Sequence, residues 1–232
     1  EKNTMVKIVL VVTSAGELSN GHPTGLWLEE CAAPYYHFKE AGYEVVLASP
    51  AGGACPIDQG SLGEGFFTAA SKKFLHDAEA VGMLSHTAKL DTIDLETVDC
   101  LYMAGGHGTC VDFINNPTLK AAIEQVYHSG DKVVAAACHG PICLAECTKS
   151  DGTTPLVQGL TVTGFTDSEE DAVQLTSAVP FLIETRFKEQ GAKYEKAADW
   201  HSKVCVDGKL ITGQNPQSSD ECAKAVIQLI SA

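Results

Sequence analysis

Val133-Val134-Ala135-Ala136-Ala137-Cys138-His139-Gly140-Pro141 reads as a buried strand running straight into a turn and then a helix. Its apolar residues follow one another without polar alternation, as expected of a strand whose two faces are both packed. Apolar, β-rich runs at 7–13, 44–49 and 99–104 have the same character, and helix-length segments alternate with them. That alternation predicts an α/β fold with a parallel sheet covered on both faces. Helices are expected over 24–41, 68–83, 117–129 and 139–146, from pattern and flanking Gly, Pro or Asn. The second half adds a β segment at 160–164, a helix over 168–190, a strand pair within 203–212 turned at Asp207-Gly208, and a closing helix over 218–230. Residues 50–67 are Gly-rich and lack periodicity, which suggests an excursion over the carboxyl edge of the sheet, where open α/β folds place ligands.

The chain has 232 residues, 44% of them hydrophobic and 20% charged, with nine Pro and 21 Gly, an ordinary globular composition that excludes fibrous and disordered classes. No repeat, low-complexity tract or linker appears, so residues 1–232 are expected to form a single domain; residues 1–4, ahead of Met5, carry no weight in this reading. Sixteen basic against 30 acidic residues give a net charge of −14, which repels phosphate and argues against nucleic-acid partners and anionic membrane surfaces. The early apolar run at 6–12, interrupted by Lys7, falls far short of the roughly 18 residues that span a bilayer. Nine cysteines, an odd number without scaffold-like spacing, point to a reducing compartment, the cytosol.

In a strand-turn-helix elbow the central residue takes a strained conformation that small neighbours tolerate, and its side chain is lifted out of the sheet. Here that residue is Cys138. Unpaired amides at the start of a helix favour an anion, so the thiol is expected to be acidified and the thiolate to be the reactive form. A buried structural cysteine is the bland reading of the same residue. A second strand ends in Tyr102-Met103-Ala104-Gly105-Gly106-His107-Gly108, at the same edge of the sheet. This loop has neither a G-x-G-x-x-G nor a G-x-x-x-x-G-K pattern, so dinucleotide and P-loop readings are weak. The amides of Gly106 and His139 can instead form an oxyanion hole, or the loop can be a plain turn.

Ala137-Cys138-His139-Gly140-Pro141 after its strand, Gly105-Gly106-His107-Gly108 after the preceding one, Thr24-Gly25 with Glu30 and Pro34, and Gly164-Phe165-Thr166 together resemble the ThiJ/PfpI superfamily. The branch they resemble is that of the heat-shock-induced chaperone and glyoxalase III proteins, related in fold to class I glutamine amidotransferases. The resemblance runs from about residue 6 to 215, with four motifs in the family's order. It implies a flavodoxin-like three-layer sandwich and a homodimer. It also implies that Cys138 is the nucleophile, His139 its general base and acid, and Glu170 the carboxylate that orients the imidazole.

Glu169, Glu170 and Asp171 lie about 100° apart on a helix, so only one should face His139, and the resemblance selects Glu170. It likewise selects Glu30 over Glu29; Pro34 cannot donate to the Glu30 carbonyl, so a kink or a freed carbonyl is expected there. Buried near a thiolate, Glu30 would keep its proton and donate to sulfur. His107, Trp200 and His201 fall where relatives line the rim of the pocket. Cys138, Cys143 and Cys147 lack the partners of a tetrahedral zinc site, and the His/Glu metal site of some relatives has no residue-by-residue match, so no metal is expected. The other six cysteines read as packing residues.

The resemblance implies a cofactor-free, glutathione-independent glyoxalase of the D-lactate dehydratase type, turning methylglyoxal or a related 2-oxoaldehyde into a 2-hydroxy acid. The Cys138 thiolate would add to the aldehyde, the oxyanion would meet the Gly106 and His139 amides, and His139 or Glu30 would carry a proton between the two carbons. Deglycase activity on glycated proteins would follow from the same chemistry or from scavenging. A holding chaperone for unfolded proteins, a cysteine peptidase or amidase, and a thiol redox sensor are the alternatives.

Overall fold

The structure, a computed structural model, describes residues 5–232. Its strands are β1 (Lys7–Val11), β2 (Glu44–Ser49), β3 (Ala88–Lys89), β4 (Cys100–Met103), β5 (Val133–Ala137), β6 (Thr161–Val162), β7 (Lys193–Tyr194), β8 (Val204–Asp207) and β9 (Leu210–Gly213). Seven of them form one sheet in the order β3-β2-β1-β4-β5-β9-β8, parallel throughout except for the β8–β9 hairpin, while β6 and β7 pair apart from it. The helices are α1 (Glu29–Glu40), α2 (Ala69–Leu75), α3 (Ala78–Ser85), α4 (Thr109–Asp112), α5 (Pro117–His128), α6 (Asp167–Ala172), α7 (Ile183–Glu189) and α8 (Ser219–Ile230). The result is the expected flavodoxin-like α/β sandwich.

The unalternating apolar strands have the predicted cause. Val9, Val11, Leu101, Met103, Val134 and Ala136 pack to one side with Leu119, Ile123 and Val126 of α5. Their neighbours Ile8, Leu10, Tyr102, Val133, Ala135 and Ala137 pack to the other with Tyr35 and Phe38 of α1 and Cys222 and Val226 of α8. Each strand therefore needs apolar side chains at successive positions. The chain builds outward from β1 to β2 and β3, then returns to add β4 on the other flank of β1. Loops leaving such a switch point diverge at the carboxyl edge and open a crevice there.

Four expectations are corrected. The helix expected over 24–41 starts at Glu29, because Leu26 is tied as a strand would be to the 56–58 segment, its amide donating to Pro56 O at 2.8 Å and its carbonyl accepting from Asp58 N at 2.9 Å. The 68–83 helix is two, since the Asp77 carboxylate accepts from the amides of Glu79 and Ala80 and starts a new helix. The 168–190 helix also divides: α6 ends at Ala172, Gln174 has a φ of 61°, and Pro180 lies before α7. The 139–146 segment winds as a 3₁₀ helix over Gly140–Glu146. Helix α1 runs as one element through Pro34. No helix among the described residues is long and apolar enough to cross a membrane.

Candidate active site

The elbow after β5 is real. Cys138 has a φ of 57°, a left-handed conformation that costs a non-glycine residue about 1–3 kcal/mol. Two backbone bonds hold it there: its amide donates to Gly213 O at 3.0 Å, and its carbonyl accepts from Phe165 N at 2.9 Å. The loop after β4 meets it across a gap that only glycine fits. A Cβ on Gly105 would lie 2.6 Å from Glu30 Oε2 and 2.7 Å from His139 N, and one on Gly106 (φ 99°) would strike the Gly25 carbonyl and the Trp27 amide.

His139, next in the chain, turns Nδ1 toward the Cys138 sulfur at 3.4 Å and Nε2 toward Glu170 Oε2 at 2.6 Å. Of the three adjacent acids, Glu170 is thus the one that faces the imidazole, from the first turn of α6. His107 brings its Nε2 to the other oxygen of the same carboxylate, at 2.7 Å, and its ring lies 3.9 Å from that of His139. Burial opposes the Glu170 charge, but the two imidazoles outweigh it and hold the carboxyl well below its ordinary range. An ionised carboxylate only accepts, so both Nε2 atoms carry hydrogens, and in the neutral form of an imidazole so fixed Nδ1 is the acceptor. Burial, helped by the adjacent His107, lowers the His139 pKa and keeps that ring neutral. His107, His139 and Glu170 are the set of metal-ligand types whose ligand atoms lie within 4.8 Å of one another among the described residues, and here both nitrogens are spent on the carboxylate.

Glu30 is fully buried and points inward from α1, whereas Glu29 accepts from Thr68 and Ser71 hydroxyls of the neighbouring segment. Glu30 Oε2 accepts from Gly105 N at 2.8 Å, while Oε1, sealed from solvent, has no hydrogen-bond partner among the described residues. Burial, against the opposing pull of Cys138 and the Gly105 amide, pushes Glu30 up to about 8, so it holds its proton at neutral pH. The thiol corrects the reading. Burial together with Glu30 pushes Cys138 up rather than down, and the 3₁₀ turn that follows gives less dipole than an α-helix would. The resting group is a thiol with a neutral imidazole acceptor beside it, able to surrender its proton as the sulfur attacks.

These residues open onto a cavity of about 110 Å³, lined by Gly106, His107, Cys138 and His139 together with Trp27, Phe66, Phe165, Val173, Trp200 and Pro216. That is about the volume of four waters at liquid density, enough for a molecule of a few heavy atoms. The amides of Gly106 and His139 bond to no backbone or side-chain oxygen among the described residues, which leaves them available to an oxyanion. Trp200 reaches the cavity, half exposed, from a loop position with a φ of 62°. Its amide donates to Glu169 Oε1 at 2.9 Å, and the fully buried Glu169 also takes donors from Thr166, Gln214 and Asn215. His201 is exposed and lies outside the cavity.

Sequence reading missed that His107 shares Glu170, that Glu169 anchors the Trp200 loop, and that Trp27 and Phe66 close the mouth. His107 and Phe165 lay inside quoted motifs; Trp27 and Phe66 carried no signal.

A seven-stranded sandwich with a strained cysteine at the end of a central strand defines the class, and residues 25–229 match the DJ-1/PfpI family model: the chain belongs to the DJ-1/PfpI family. Within it, the chain is similar to Glyoxalase 3 of Candida albicans, 32% identical over 96% of this chain and 98% of that protein. It is also similar to glutathione-independent glyoxalase HSP31 of Saccharomyces cerevisiae, 29% identical over 94% of each. A crystal structure of glyoxalase III from Candida albicans superimposes with a TM-score of 0.87 at 31% identity, covering 97% of this chain and 98% of that one.

Proposed function

We propose that this protein is a glutathione-independent glyoxalase that converts methylglyoxal, or a 2-oxoaldehyde of similar size, to a 2-hydroxy acid through a thiohemiacetal on Cys138. The observation that carries the reading is the line Cys138 Sγ, His139 Nδ1, His139 Nε2, Glu170, with gaps of 3.4 and 2.6 Å, at the wall of a cavity of about 110 Å³. Sulfur bonds to the aldehyde carbon while its proton passes to His139 Nδ1, and the carbonyl oxygen, held by the Gly106 and His139 amides, then takes that proton. The hydrogen on the former aldehyde carbon leaves as a proton, giving an enediol. Reprotonation of the neighbouring carbon leaves a thioester, and water releases the hydroxy acid and restores the thiol. One carbon is oxidised and its neighbour reduced, so no outside redox partner enters.

Protonated Glu30 supports the sulfur: a neutral carboxyl donates to a developing thiolate, where an ionised one would repel it. The small cavity with its aromatic mouth disfavours peptide substrates, which need an extended groove. The same reading takes the chain to be a homodimer working in the cytosol, checked by sedimentation and by cell fractionation. It takes loss of adducts from glycated proteins to follow from scavenging of free dicarbonyl.

The test is methylglyoxal loss and lactate formation without glutathione, for wild type and Cys138→Ala. Turnover by wild type with Cys138→Ala at background is expected. An inert wild type, or equal rates in the two, overturns the reading and favours the chaperone or sensor alternatives.

A further inference from the structure

The proposed reaction, on which this inference rests, moves two protons: one between sulfur and oxygen, one from carbon to carbon. His139 Nδ1 faces the sulfur at 3.4 Å and is engaged with the first. Glu30 has one oxygen on Gly105 N and the other sealed without a partner, and it holds its own proton at neutral pH, so it is poorly placed to accept another. His107 is differently disposed. Its Nε2–H is fixed on Glu170 Oε1 at 2.7 Å, its ring lies 3.9 Å from that of His139, Phe165 meets it edge-on at 6.0 Å, and it lines the cavity together with Cys138. Its Nδ1 bonds to no group among the described residues, and the residue keeps 8% of its surface exposed where it lines the cavity. A carboxylate that fixes the tautomer of a buried imidazole whose far nitrogen is free is the arrangement of a general base.

We infer that His107 is a second base of the site, carrying the proton between the two carbons of the bound 2-oxoaldehyde while His139 serves the sulfur and oxygen. In this step His107 Nδ1 takes the hydrogen of the thiohemiacetal carbon as a proton. The electron pair of the broken C–H bond forms the C=C bond of the enediol, and the ketone oxygen takes a proton from a cavity water, leaving hydroxide. The protonated Nδ1 then delivers its proton to the neighbouring carbon as the hydroxyl on the sulfur-bearing carbon gives its proton to that hydroxide, restoring water, and becomes the thioester carbonyl. One carboxylate thus orients two bases, one for each proton in flight.

The test uses His107→Gln, whose amide can still donate to Glu170 but has no basic nitrogen. Iodoacetamide labelling of Cys138 reads the thiol and His139, and methylglyoxal turnover reads the whole cycle. His107→Gln is expected to lose at least about 100-fold in kcat while labelling stays within about threefold of wild type, and deuterium on the aldehyde carbon should give a larger rate effect than in wild type. His139→Gln is expected to slow labelling and turnover together. His107→Asn, read by the same ratio of turnover to labelling, stands in should the glutamine variant misfold. Turnover by His107→Gln within tenfold of wild type, or a parallel loss of labelling and turnover without a larger deuterium effect, overturns this inference alone; an inert wild type overturns the glyoxalase reading beneath it.

Discussion

Replacing Glu30 by Gln tests the electrostatics of the site directly, because the amide has nearly the same shape, can still accept from Gly105 N and cannot ionise. Burial moves the wild-type carboxyl from 4.5 to about 8. At about 1.4 kcal/mol for each pH unit between those values, ionising it in the folded protein costs of the order of 5 kcal/mol more than in the unfolded chain. The folded state binds the proton more tightly, so Glu30's contribution to stability is whole below pH 4.5 and is lost as pH rises through about 8. Urea unfolding of wild type and Glu30→Gln at pH 5, 6, 7, 8 and 9 measures this. The variant should gain on wild type by at most about 1.4 kcal/mol per pH unit, with the gain levelling off above pH 8. Turnover should follow, the wild type losing activity above pH 8 as an anion forms beside the sulfur, and the variant much less. A stability difference that stays constant across this range, or one that runs in favour of wild type as pH rises, would refute the buried, protonated carboxyl.

Three further outcomes are expected. Glu170→Gln presents an N–H to one of the two Nε2–H groups, forcing that ring to move its proton to Nδ1; kcat should fall by about 10³ to 10⁴ with thermal unfolding little changed. Gly106→Ala combines a φ of 99° with collisions against Gly25 and Trp27, and should lower stability by at least ~2 kcal/mol in denaturant titration and sharply reduce turnover. Glu169→Ala strips the shared acceptor from Thr166, Trp200, Gln214 and Asn215, and should cost about 3–5 kcal/mol by the same titration.

The sheet was legible because each central strand is short, apolar on successive residues and bounded by glycine or a polar turn; 44–49 was read to the residue. Helices were misjudged where polar side chains or backbone pairing intervened, as at Asp77 and Leu26, since periodicity does not register a carboxylate folding back on its own amides. At the site, Cys138, His139, Glu170 and Glu30 were readable as motif positions, and the structure brings them together. The sign of the Cys138 shift was not readable, because it depends on how deeply the elbow is buried and on Glu30, 108 positions earlier in the chain. His107 was placed at the rim because nothing local marks a histidine as sharing a carboxylate 63 positions away.

The mouth of the cavity is assembled from side chains on four separate stretches, Trp27, Phe66, Phe165 and Trp200, while the reacting groups sit on the loops behind β4 and β5 and on α6. Phe165 belongs to both, its amide bracing the Cys138 carbonyl and its ring lying 4.3 Å from that of His139, whereas Phe66 comes from a stretch that carries no reacting group. Phe66, 37% exposed and touching the site only through the ring of Trp27 at 5.2 Å, is the mouth residue whose size can change with least effect on the sulfur or its imidazole. A protein laid out in this way can broaden or narrow its diet of aldehydes one rim residue at a time, with the chemistry behind the rim left standing.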